Sequence, residues 1–163
     1  MLKIREASKA DVPVILEFIR DLAAYEREPH AVTATAEDLV RDGFTPGQER
    51  RFHVLIAEWE GQPAGFAFYF FNYSTWAGRP GLYLEDLFVR PVFRGKGIGK
   101  ALLVRLARVA LEKGCARYQW QVLDWNQPAL DFYRSLGAST MKEWLTMRVE
   151  GDALRTMAKM ATS

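Results

Sequence analysis

Val92-Phe93-Arg94-Gly95-Lys96-Gly97-Ile98-Gly99-Lys100-Ala101-Leu102-Leu103, VFRGKGIGKALL in one-letter code, sets three glycines and three cations directly before an apolar helical run. A helix N-terminus presents backbone N–H groups without intrahelical partners and carries partial positive charge. Glycines let that backbone approach a ligand with no Cβ in the way. The stretch therefore reads as an anion site suited to phosphate. From Arg90 to Leu111 the chain carries Arg90, Arg94, Lys96, Lys100, Arg105 and Arg108 and no acid. A P-loop is excluded, because Gly99-Lys100 precedes Ala101 and the metal-binding hydroxyl is missing. The dinucleotide fingerprint fails on spacing. Arg-x-x-Gly-x-Gly, at Arg94, Gly97 and Gly99, is what fits.

Around this turn the chain reads as one globular domain, residues 1–163, with 49% hydrophobic and 26% charged residues. A net charge of +2 gives no case for nucleic acid. Cys115 is the only cysteine, so no internal disulfide forms and a reducing cytoplasm is the expected compartment. Neither a signal-peptide core nor a membrane-spanning apolar run is visible. His30 and His53 stand apart, without metal-ligand spacing, so no metal is expected.

Strands are expected at Leu2–Ala7, Phe52–Trp59, Pro63–Tyr73, Leu82–Val89, Tyr118–Val122 and Trp144–Val149. Turns are expected at Glu60–Gln62 and Gly78–Gly81. Ser8–Asp11 and Thr35–Asp38 read as helix starts, with Gly43 stopping the second helix. Further helices run from Ile98 to Lys113, over Pro128–Leu136, and after Asp152. The order predicts an α+β domain whose mixed, mostly antiparallel sheet has helices on both faces.

The glycine motif after a strand resembles the acetyl-coenzyme A pyrophosphate motif of the GNAT N-acetyltransferases, and the element order resembles that family over nearly the whole chain. Tyr83-Leu84-Glu85-Asp86-Leu87-Phe88-Val89, Leu123-Asp124-Trp125-Asn126 and Phe132-Tyr133-x-x-x-Gly137-Ala138 resemble its spermidine/spermine (diamine) acetyltransferase branch. Tyr73-Ser74-Thr75-Trp76 and Val122 to Gln127 are most similar to the thialysine N-acetyltransferase subfamily. The resemblance implies the GNAT fold, acetyl-CoA as cosubstrate, a small primary amine as acceptor, a cytoplasmic homodimer and direct transfer without an acyl-enzyme. Its rivals are a protein or peptide amine acetyltransferase and a non-catalytic coenzyme A-binding regulatory module.

Residue by residue, the resemblance makes Tyr133 the general acid. A phenol near pKa 10 is matched to a leaving thiol at about 8.5. Glu85 would hold the acceptor ammonium and help remove its proton through water. Strand alternation sets Glu85 and Asp86 on opposite faces, so that they do not serve one site equally. Leu87, Phe88 and Val89 would offer main chain to the pantetheine. Arg94, Gly95, Lys96, Gly97, Ile98, Gly99 and Lys100 would hold the pyrophosphate. Asn126, Gln127, Pro128 and Ala129 would lie beside the cofactor, although Asn126 also reads as an N-cap. Tyr25, Glu26 and Trp76 would border the acceptor. Ser74 stands where polyamine enzymes resemble Tyr-Asp-Pro-Trp, and the missing carboxylate points to lysine-like acceptors ahead of polyamines.

Overall fold

The computed structural model describes residues 1–162 and divides them into two compact units, 1–123 and the remainder from Asp124. The first holds a five-stranded sheet in sequential order: β1 (Leu2–Glu6), β2 (His53–Trp59), β3 (Gln62–Ser74), β4 (Arg79–Val89) and β5 (Arg117–Trp120). β1 to β4 pair antiparallel; β5 joins β4 in parallel. The expected mixed, mostly antiparallel sheet is therefore present.

Both faces carry helices. α1 (Val12–Tyr25) and α2 (Ala36–Gly43) cover one, where Ile15, Phe18 and Leu39 bury against Val54, Ile56, Phe66 and Phe88. The Phe18 and Phe66 rings stack at 5.1 Å. Alternation sends Leu55, Ala67 and Leu82 to the other face, which is covered by α3 (Ile98–Glu112) with buried Leu102 and Leu106. The α2 start is a capping box: Asp38 N–H donates to Thr35 Oγ1 at 3.2 Å and Thr35 N–H to Asp38 Oδ2 at 2.9 Å. Gly43 is the last residue of α2, as expected, and packing rather than a left-handed φ requires glycine there: a Cβ would overlap the Phe52 ring.

Two expectations shift. The β3–β4 turn lies at 75–78, where Gly78 N–H closes onto Ser74 O at 2.8 Å, so Arg79 to Gly81 belong to β4. Trp144–Val149 forms no regular element: Trp144, Leu145 and Met147 are 69%, 82% and 88% exposed, leaving the segment no buried face to alternate against. The second unit consists of α4 (Gln127–Ser135), α5 (Gly151–Ala158) and their connections.

Candidate active site

The glycine turn is built as its sequence demands. Gly95 and Gly97 have φ +79° and +77°, a region costly for any residue with a Cβ, and Gly97 caps α3. A Cβ on either would meet open space, so backbone conformation rather than crowding requires glycine here. The first backbone bond of α3 runs from Ala101 N–H to Gly97 O, and no described backbone carbonyl takes the amides of residues 95 to 100. Such a set of aimed N–H groups fits the pyrophosphate of a coenzyme. Arg90 does not belong to this basic surface. It donates to Glu17 at 2.8 Å and to Pro63 O at 3.1 Å, and lies over the Phe18 ring. Arg94 donates from Nε to Val89 O at 3.0 Å and stacks over Tyr25 and Phe88; Lys96 lies over Trp59.

Before the turn, β4 parts from β5. Their pairing covers only Gly81 to Leu84, so Glu85 to Val89 pair with β3 alone. The main chain of Leu87, Phe88 and Val89 thus has one open side, next to the glycine turn.

The split coincides with a bulge. Phe68 faces Asp86 while Tyr69 faces Leu84, which leaves Glu85 as the extra residue of β4. The bulge resets alternation. Tyr83, opposite Phe70, and Asp86, opposite Phe68, share the α1 face although they are three residues apart. Glu85 lies between them and acts on both, raising the Tyr83 phenol and the Asp86 carboxyl. One inserted residue thus brings Asp86 onto the face of Tyr83, with Glu85 as the unpaired residue between them.

Asp86, left out of the expected site, is its most perturbed acid. Burial, then the charges of Glu85 and Glu26, push its carboxyl up to about 7. Burial also raises Glu26, at the end of α1. Glu85 and Glu26 thus both act on Asp86, whose ionisation is disfavoured until a cation arrives.

Toward the hairpin, Trp76 is 92% exposed, and Ser74 is buried with its hydroxyl accepting the Ala77 amide at 3.2 Å. Ser74 therefore secures the turn. In the second unit, the Asn126 side chain caps α4 by accepting from Ala129 N–H at 3.3 Å. Gln127 donates to Asp131 at 2.7 Å, and Pro128 occupies the first turn. Tyr133 is half-buried, its ring 5.7 Å from that of Phe132.

A split strand, a glycine turn opening a helix and a mixed sheet in this order describe an acyl-coenzyme A transferase scaffold. The family model for the acetyltransferase (GNAT) family matches residues 15–138, and the chain belongs to that family. It is 44% identical to a thialysine N-epsilon-acetyltransferase of Sus scrofa over 166 residues, covering 95% of this chain and 96% of that one. It is 30% identical to an L-ornithine N5-acetyltransferase of Arabidopsis thaliana, covering 97% and 88%. Among solved structures it resembles an integron cassette protein of V. cholerae, with TM-score 0.80, 29% identity and 98% of each chain covered.

Proposed function

We propose that this chain is an acetyl-CoA-dependent N-acetyltransferase for a small primary amine, either a lysine-like amino acid or a di- or polyamine. The observation that carries the reading is the bulge. It sets Asp86 on the face of Tyr83, close enough to Glu85 and Glu26 for both to act on it, where β4 leaves β5 and runs into the glycine turn. The relatives named for thialysine and ornithine acetylation support the acceptor class.

In this reading the amides of Gly95 to Lys100 hold the pyrophosphate, and the open edge of Leu87 to Val89 lines up the pantetheine. The coenzyme supplies an acetyl group activated as a thioester. Glu26, Glu85 and Asp86 draw in the ammonium. Asp86, titrating near neutrality, is matched to take its proton. Tyr133 returns a proton to the departing sulfur, with Asn126 to Ala129 beside the cofactor. Tyr25 and Trp76 border the acceptor. Residues 1–163 work as one domain, in a cytoplasmic homodimer.

The test is acetyl transfer from acetyl-CoA to thialysine, lysine, ornithine, putrescine, spermidine and a lysine-containing peptide, at one ionic strength. Small amines are expected to be acetylated, the lysine-like ones with higher kcat/KM than spermidine. Transfer to the peptide alone, or to none, would overturn the reading. Sedimentation of the same sample tests the dimer.

A further inference from the structure

We infer that the acceptor groove has a second, basic pole. Arg117 receives a carboxylate and Asn72 the adjacent α-ammonium, so the site selects an amine whose far end is an amino-acid head group. This inference rests on the N-acetyltransferase reading above.

The face that carries Asp86 continues along the β3–β4 arm. β3 presents Phe68, Phe70 and Asn72; opposite them β4 presents Asp86, Tyr83 and Gly81. The Phe70 and Tyr83 rings stack at 5.2 Å and give an apolar floor. Beyond it, Arg117 of β5 lies level with Gly81. Gly81 leaves a gap that two neighbours enter: a Cβ there would overlap Asn72 Oδ1 and lie 3.3 Å from Arg117 Cγ.

Both neighbours have unspent capacity. Arg117 is exposed, pairs with no described carboxylate, and spends its guanidinium on one 3.3 Å bond to Tyr73 O. Asn72 Oδ1 is buried and accepts no hydrogen bond from any described residue. A buried acceptor without a donor is costly. When the guanidinium turns from Tyr73 O to a carboxylate, the Arg117 stem that lies beside Oδ1 at Gly81 moves with it and opens Oδ1 to the neighbouring ammonium.

The spacing fits. Four strand residues separate the Phe68–Asp86 pair from the Asn72–Gly81 pair, about 13 Å. A lysine-like side chain has seven bonds from amine nitrogen to carboxylate oxygen, about 8 Å at roughly 1.2 Å per bond in an extended chain. A hydrogen bond of about 2.8 Å at each end brings the span to about 14 Å. A polyamine of that length would set its second ammonium against Arg117, like charge to like.

The test compares lysine, cadaverine and 6-aminohexanoate. Cadaverine has the same amine and spacer but no carboxylate, and 6-aminohexanoate keeps the carboxylate but lacks the α-ammonium. Wild type is expected to favour lysine over cadaverine. Arg117→Gln should raise KM for lysine and 6-aminohexanoate by roughly 10- to 100-fold, the worth of a charged hydrogen bond, with kcat little changed and the KM for cadaverine lowered as the like charge is removed. Arg117→Lys should recover part of the loss. Asn72→Ala should weaken lysine and spare 6-aminohexanoate. An unchanged lysine-to-cadaverine ratio in Arg117→Gln, or an equal loss for every amine, overturns the proposal while leaving the acetyltransferase reading intact. If wild type acetylates no amine, that reading fails instead. Calorimetric titration of lysine and cadaverine into the CoA-loaded protein then decides, and equal lysine affinity of wild type and Arg117→Gln overturns the proposal.

Discussion

Asp11 and Asp86 are the same residue type in opposite circumstances. Asp11, before α1, accepts both guanidinium nitrogens of Arg5 at 2.8 Å, and this lowers its carboxyl to about 2. The same Arg5 binds Glu58 of β2 at 2.7 Å, so the group ties β1, β2 and the start of α1 together. Asp86 is also mostly buried, but its charged neighbours are acids, and its carboxyl rises to about 7. A carboxylate with its cation in place holds the fold together. A carboxylate surrounded by acids awaits a cation from outside, and the fold bears the cost of keeping it ready.

The contrast is open to direct attack. Asp86→Asn should lower kcat/KM by about 100-fold or more, the usual worth of a positioned acid or base. Tyr133→Phe should lower kcat by a similar factor, about 100-fold, while leaving the acid limb of the pH profile in place, because it removes a proton donor. Steady-state kinetics check both.

Stability should move oppositely at the two aspartates. The folded carboxyl of Asp11 lies below its unfolded value. Its contribution is complete above about pH 4 and is lost as pH falls toward 2. Asp11→Asn should therefore cost about 2 kcal/mol at pH 7 and leave kcat unchanged. The folded carboxyl of Asp86 lies above its unfolded value, so ionising it destabilises the protein as pH rises from about 4 to 7. Asp86→Asn should stabilise by on the order of 1–2 kcal/mol at pH 8, with no gain at pH 4. Urea melts at the two pH values check the signs.

Much of this was legible in sequence where the determinant is local. The glycine turn could be read because φ +77° at Gly97 selects glycine whatever lies elsewhere. The α2 capping box and the Asn126 cap are likewise three-residue matters. The bulge could not be read. Tyr83-Leu84-Glu85-Asp86-Leu87 sets two acids side by side without marking either as inserted, and only the pairing of Phe68 with Asp86 and Tyr69 with Leu84 shows that Glu85 is the extra residue. Nor does sequence separate Arg90 from the other cations of its stretch, since Glu17 and Pro63, 73 and 27 residues away, claim it.

Glu85→Gln is the mildest perturbation. It removes a neighbouring charge that raises Asp86 but leaves burial, the larger cause, in place. The Asp86 titration should move down by less than one unit. The most direct test is therefore the pH dependence of kcat/KM for lysine, with saturating acetyl-CoA, in wild type, Glu85→Gln and Asp86→Asn. The account predicts a rise through an inflection near 7 in wild type, slightly lower in Glu85→Gln and absent in Asp86→Asn. An inflection near 7 that survives in Asp86→Asn would contradict it.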